Sequence, residues 1–304
     1  MILDAHTHLF PEEVLKNRSA YGSRDESFRR LYGNEKARMA SLEELLASMD
    51  REGVDRSVVC GFPWTDPALC REGNDYLLDC ARKHPRRVVP FAVIPLRPPR
   101  QAEKELDRCL SGGAKGIGEL AFCRRGITEG DVLRLASWAK HLAGTGTPLL
   151  LHVNEPVGHD YPGKSLKTLQ PIYRLLQLIP DVTVILAHWG GGFFFYEFMP
   201  EVARVSVNVY YDTAASPFLY RPQVYSAAVR MIGPDRILWG SDFPLLPPSR
   251  YFREMAGAGL SSRVRAKIQG GNAQRLLGLR RKTGLVSESG VKYNRNASDP
   301  PKPL

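Results

Sequence analysis

Ile2-Leu3-Asp4-Ala5-His6-Thr7-His8 opens the chain with a short apolar run that ends in two histidines one residue apart. Read as a strand, the run alternates its side chains between faces, so His6 and His8 point the same way. Two imidazoles side by side on a strand end make half of a metal site, and the rest of the chain must supply the other half.

Working outward, the same design recurs: an apolar run closed by a polar residue. Further strands are expected at 54–62, 87–96, 114–120, 148–153, 182–188, 205–212 and 236–242. Helical patterns separate them at 41–51, 67–83, 99–110, 130–141, 166–178, 193–199 and 221–232. Several runs are continuously apolar, as parallel strands buried on both faces are. Strict alternation of this kind implies an α/β protein, either a (β/α)8 TIM barrel or a doubly wound open sheet. Two observations favour the barrel. No Gly-x-Gly-x-x-Gly opens a helix, and polar residues collect at the ends of many different strands, which only a barrel brings to one place. The expected organisation is one barrel domain over 1–280. A polar insertion at about 10–40 reads as a loop capping its mouth, and 281–304 reads as a basic, disordered tail.

Composition narrows the function classes. The chain has 304 residues with 43% hydrophobic content, an ordinary globular balance. No apolar run approaches the roughly 20 residues of a bilayer span, so no membrane role is expected. The start carries no export signal, and the five scattered cysteines form no Cys-x-x-Cys, which suits reduced thiols in a cytoplasm. The net charge of +10 is diffuse, with no block of like charge and no nucleic-acid motif. It suits a field that attracts a small anionic substrate. Homo-oligomerisation is left open.

The strand ends supply the chemistry. They carry His6 and His8 (first), Glu119 (fourth), His152 (fifth), His188 (sixth) and Asp242 (eighth). Imidazoles and carboxylates without thiolate suit Zn²⁺ or another first-row divalent ion. A position left open takes a water whose pKa the metal lowers. Asp242 can both touch the metal and deprotonate that water.

Together, His6-x-His8, His152, His188-Trp189-Gly190-Gly191 and Trp239-Gly240-Ser241-Asp242-Phe243-Pro244 resemble the amidohydrolase superfamily. The resemblance is nearest to its amidohydrolase-related branch, which includes aminocarboxymuconate-semialdehyde decarboxylase. Gly271-Asn272-Ala273-Gln274-Arg275-Leu276-Leu277-Gly278-Leu279 is similar to that branch's closing helix. In decarboxylase-like members the counterparts of His6, His8, His152 and Asp242 bind one zinc. The resemblance then implies that His188 stands beside the ion as an acid/base. Ile117-Gly118-Glu119 resembles instead the fourth-strand glutamate of TatD-type hydrolases, which bridges two metals; that implies one ion or two.

The loop after the fifth strand is dense in polar groups, and Glu155, His159, Tyr161 and Lys164 are its candidate substrate-binding residues. Trp189 and the run Phe193-Phe194-Phe195-Tyr196 read as core and rim packing. The reading adopted from these features is a metal-dependent hydrolase. It would cleave a small amide, lactone or ester with metal-activated water, Asp242 serving as general base and His188 assisting. A nonoxidative decarboxylase is the alternative.

Overall fold

The computed structural model describes residues 1–123 and 126–279; the expected tail lies outside them. Eight parallel strands follow one another around the sheet in chain order. They are β1 (Leu3–His8), β2 (Arg56–Cys60), β3 (Val88–Ala92), β4 (Gly116–Leu120), β5 (Leu149–Leu151), β6 (Val184–Leu186), β7 (Val209–Asp212) and β8 (Ile237–Leu238). The Ala5 N–H donates to Trp239 O at 2.8 Å and the His8 N–H to Phe243 O at 2.8 Å, so β1 closes the ring against β8 and the segment after it. The result is a (β/α)8 barrel.

The interior is packed by Leu3, Ala5, Val58, Cys60, Val89, Phe91, Leu150, Ile185 and Leu238. A second, larger cluster lies between the strands and the surrounding helices. That division is why the strands read as unbroken apolar runs: both faces are buried. Among the helices, Leu42–Glu52 begins with Ser41 and Glu44 in a reciprocal capping box and ends at Gly53 in the left-handed region.

Several expected strands are longer than the observed ones. Strand β5 has 3 residues where the apolar pattern spans 148–153, and β8 has 2 where it spans 236–242. The residues beyond each strand are buried for another reason: they turn inward over the barrel mouth and carry the polar groups. The expected strand at 205–212 begins only at Val209, after the helix Pro200–Val205 and a turn.

The stretch expected as a capping loop is mostly helical, in three short pieces at Glu12–Lys16, Arg18–Arg24 and Glu26–Tyr32. Charged residues mask the apolar spacing of Phe28, Leu31 and Tyr32. Asp25, 2% exposed, caps the third piece by accepting the Phe28 N–H at 2.9 Å. It also accepts from the Thr65 N–H at 2.9 Å and the Thr65 hydroxyl at 2.7 Å, which ties the insertion to the segment after β2. Phe28 stacks on Trp64 with ring centroids 4.7 Å apart and meets Phe62 edge-on at 5.2 Å. The insertion is thus fastened to the barrel by its own aromatic cluster.

Trp189, Phe193 and Phe194 are buried, whereas Phe195 and Tyr196 are each 47% exposed.

Candidate metal centre

β1 aims its two histidines by a bulge. Its register against β2 shifts between Asp4 and Thr7, so one extra residue is accommodated there. Leu3 and Ala5 face the interior below, while His6 and His8 both reach the mouth, their Nε2 atoms 3.1 Å apart. Gly240 is required beside them, because a Cβ there would lie 2.7 Å from the Cβ of His6.

Four elements complete the ring. Glu119 on β4 places Oε2 3.6 Å from the Nε2 atoms of both His6 and His8. Its other oxygen, Oε1, lies 3.0 Å from His152 Nδ1 and 3.4 Å from His188 Nε2. His152 Nδ1 and His188 Nε2 are themselves 3.0 Å apart. Asp242 Oδ1 sits 3.4 Å from His8 Nε2 and 3.9 Å from His6 Nε2. All six expected residues therefore meet at the barrel mouth. Five of them form two groups able to hold a metal ion, His6–His8–Glu119 and Glu119–His152–His188, with Asp242 beside the first.

Backbone strain marks the same place. His188 (φ 56°) and Asp242 (φ 56°) occupy the left-handed region, which costs a non-glycine residue on the order of 1–3 kcal/mol. After His188 the chain stays left-handed through Gly192, and at Gly191 a Cβ would lie 2.3 Å from the carbonyl oxygen of Asn154. Only glycine permits that approach.

Asp212, at the end of β7, was not singled out in the sequence. It is fully buried and accepts from three donors: His6 Nδ1–H at 2.8 Å, the His188 N–H at 2.9 Å and the Ala214 N–H at 3.0 Å. Its position closing the seventh apolar run was the available signal. In the neutral ring, donation from His6 Nδ1 leaves the lone pair on Nε2, facing the other ring residues. In the same way the Nδ1–H of His188 donates to Ala214 O at 3.0 Å and frees its Nε2.

The electrostatics ask for a cation. Burial opposes the charge of Glu119, yet His6 and His152 hold its carboxyl well below the usual range. Burial likewise opposes ionisation of Asp242, but the bond to His8 and the charges of His6 and His188 bring it down to about 2. For His188, burial favours the neutral ring; Glu119 outweighs it, with Asp242 and Asp212 behind, and lifts it to about 9. Burial also works against a charged His6, and Glu119 and Asp212 overcome it. Among the described residues, the ion-pair partners of Glu119, Asp212 and Asp242 are all histidines. A divalent ion supplies the same positive charge at the centre of the ring. The donor spacing fits one, since metal–ligand bonds of roughly 2.0–2.2 Å set tetrahedral edges of about 3.3–3.6 Å.

A cavity of about 440 Å³ opens above the ring. Tyr32, Phe62, Phe218 and Leu219 are among its apolar walls, and His8, Glu119, His152, His188 and Asp242 line it as well. Of the four candidate loop residues, His159 and Tyr161 line the cavity. Glu155 and Lys164 are not among its lining residues, and both bond within the loop. Glu155 Oε2 accepts from the Tyr161 hydroxyl at 3.0 Å, and Lys164 Nζ donates to Val157 O at 2.9 Å and His159 O at 2.8 Å. Arg38, from the insertion, is the one lysine or arginine among the described residues lining the cavity. It has no ion pair with a described carboxylate. No helix among the described residues is long and apolar enough to cross a membrane.

Comparison with known proteins places this geometry among relatives. A family model described as amidohydrolase matches residues 3–279. γ-Resorcylate decarboxylase from Polaromonas sp. (strain JS666 / ATCC BAA-500) is 24% identical, the match covering 69% of this chain and 76% of the relative. Among solved structures, 5-carboxyvanillate decarboxylase from Sphingomonas paucimobilis superposes with a TM-score of 0.70 at 18% identity, over 91% of this chain and 98% of that one. A dihydroxybenzoic acid decarboxylase from Polaromonas sp. JS666, solved with manganese and the inhibitor 2-nitroresorcinol, gives 0.70 at 21% identity, over 94% and 99%. At these identities the structural likeness speaks for the fold.

Proposed function

The chain belongs to the amidohydrolase family, and on that premise we propose a nonoxidative decarboxylase that acts on a small aromatic carboxylic acid with a divalent ion at the barrel mouth. This corrects the hydrolase expected from the sequence. The curated relatives are γ-resorcylate decarboxylases, which overturns cleavage of an amide, lactone or ester and favours the alternative weighed beside it.

The observation that carries the reading is the cavity: an acid–histidine ring enclosed with the aromatic and aliphatic side chains that would flank a planar ring. Nitrogen and carboxylate-oxygen donors without thiolate suit manganese and zinc alike, and manganese is the ion in the Polaromonas decarboxylase structure. His6, His8, Asp242 and Glu119 Oε2 would hold it. When bound, the ion neutralises the substrate carboxylate and an adjacent phenolic oxygen.

This chain's side chains do the rest. Arg38 attracts the acid and orients it from the insertion side of the cavity. Asp242, held ionised by its histidines, accepts the proton of a hydroxyl beside the carboxylate and delivers it to the ring carbon. The carbon–carboxylate bond breaks, its electron pair forms the new C–H bond, and carbon dioxide leaves. The apolar walls keep water from the carbon during that transfer.

The test is to incubate protein reconstituted with Mn²⁺ or Zn²⁺ with a panel of hydroxybenzoic acids, following carbon dioxide and the decarboxylated phenol. Release from at least one acid is expected. Hydrolysis of lactones or amides with no release from any acid would sink the reading.

A further inference from the structure

Between the insertion and the helix Pro67–Lys83 lies a second cavity, of about 210 Å³, which shares only Phe62 with the one above the ring. We infer that it binds a small alkylated ammonium ion carrying an oxygen acceptor beside its charged head. The inference depends neither on the metal centre nor on the reaction proposed there.

The walls are aromatic. Phe10, Tyr21, Phe62, Trp64 and Tyr76 line the cavity, with the Trp64 ring centroid 5.8 Å from that of Tyr21 and 4.7 Å from that of Phe62. Such faces attract a cation through their negative quadrupoles, most strongly where water is excluded. An alkylated ammonium group asks no hydrogen bond of them. The volume is below the roughly 300–1,000 Å³ of pockets for drug-sized ligands, so it suits a head group.

Two carboxylates give the cavity its sign. Glu13 from the insertion and Glu72 from the helix both line it. Both act on Tyr21, whose hydroxyl pKa is raised first by burial and then by Glu72 and Glu13. The cations nearby are committed elsewhere. Lys16 is bonded to Glu12 at 2.5 Å, and Arg24, 5.9 Å from the Tyr21 centroid, to Asp66 at 3.0 Å. Among the described residues neither Glu13 nor Glu72 has an ion pair; Glu13 Oε1 accepts from Asn17 Nδ2 at 2.6 Å. In a chain of net charge +10, the cavity is a local reversal of sign.

Trp64 adds an independent demand. It is 5% exposed, yet its indole N–H has no acceptor among the described residues. Nε1 stands beside Gly73, another lining residue, 3.9 Å from where a Cβ there would lie. A buried indole N–H ordinarily has a partner. An oxygen on the ligand supplies it.

Calorimetric titration of the full chain compares three probes: choline, its uncharged carbon isostere 3,3-dimethylbutan-1-ol, and tetramethylammonium, which lacks the hydroxyl. Choline is expected to bind one site with Kd on the order of 1 mM or tighter. The neutral alcohol should bind at least about tenfold more weakly. Glu13→Gln combined with Glu72→Gln, both exposed, should weaken choline by about tenfold and leave the alcohol unchanged. Trp64→Phe should weaken choline about threefold more than it weakens tetramethylammonium. Should Trp64→Phe fail to fold, the isostere pair and the double glutamine variant decide. Equal affinity for choline and the alcohol, choline binding that the double variant leaves unchanged, or equal losses of both ammonium ions in Trp64→Phe overturns the proposal. So does the absence of saturable choline binding up to about 10 mM.

Discussion

Replacing Asp212 with asparagine keeps the shape of a fully buried side chain and removes its charge. The amide oxygen has to stay with the His188 and Ala214 N–H groups, which the carboxylate now accepts at 2.9 and 3.0 Å. The amide NH₂ then faces His6 Nδ1, where a charged acceptor stood at 2.8 Å. Donor meets donor unless His6 moves its proton to Nε2, and that move consumes the lone pair facing His8. Loss of such a partner behind a ligating histidine typically costs 10–100-fold in metal affinity, or about 1.4–2.7 kcal/mol. At a Mn²⁺ concentration about 100 times the wild-type Kd, the ion stabilises the fold by about 2.7 kcal/mol; the variant would retain about 0.4–1.4 kcal/mol. At about 2 °C per kcal/mol for a chain of this size, the metal-dependent rise in Tm falls by about 3–5 °C. Chelator competition gives Kd and thermal melts with and without Mn²⁺ give the shift. A folded variant with affinity within twofold of wild type would refute the account of His6.

Four further outcomes follow from the same structure. Arg38→Met should raise KM for anionic aromatic acids by about tenfold, the value of one charge-assisted contact at an exposed site, with kcat nearly unchanged in steady-state assays. Phe28→Ala empties the centre of the insertion's aromatic cluster and should cost about 3–5 kcal/mol, read from the denaturant midpoint at constant m. Glu197→Gln leaves Arg236 without the carboxylate it meets at 2.5 Å and weakens the bond from the Tyr211 hydroxyl at 2.6 Å. Arg236 is 22% exposed, so the loss should fall at or below the low end of the roughly 3–5 kcal/mol for breaking a buried pair, again by denaturation. Exhaustive chelation should abolish turnover and lower Tm, with Mn²⁺ restoring both; activity that survives chelation would remove the metal from the reaction.

The barrel was legible because parallel strands buried on both faces leave unbroken apolar runs, and because polar residues close many of those runs, which a doubly wound sheet would not bring to one place. Their ends were less legible. The residues after Leu151 and Leu238 are buried like strand residues, but they are held over the mouth by turns and by side-chain bonds that a one-dimensional pattern does not reveal. The insertion was missed as helix because its caps and apolar partners come from elsewhere: Asp25 bonds Thr65, and Phe28 packs on Phe62 and Trp64. The six ring residues stood out because histidines and carboxylates are conspicuous at the close of apolar runs. Asp212 closes the seventh run in the same way and was passed over, because what it does depends on a bond to His6 across 206 residues of sequence. Lys164 is the opposite case. A lysine in a loop beside the site invites a substrate, and only the fold shows its Nζ spent on Val157 O and His159 O.

Hydrolysis and decarboxylation ask nearly the same of the ring: a cation, lone pairs to hold it and a carboxylate to carry a proton. The ligand ring cannot separate the two chemistries, and reading it alone led to the hydrolase. What separates them is where the proton is handed. Hydrolysis needs a water positioned between the carboxylate and a carbonyl, whereas decarboxylation needs water kept off the carbon while a side-chain acid protonates it. That decision belongs to the cavity walls, and these are assembled from distant places: Tyr32 from the insertion, Phe62 after β2, Phe218 and Leu219 after β7. None of these residues is unusual where it stands in the sequence. Only the closure of the barrel brings them around one volume, so the cavity walls are readable in three dimensions although the histidines and carboxylates of the ring were readable in one.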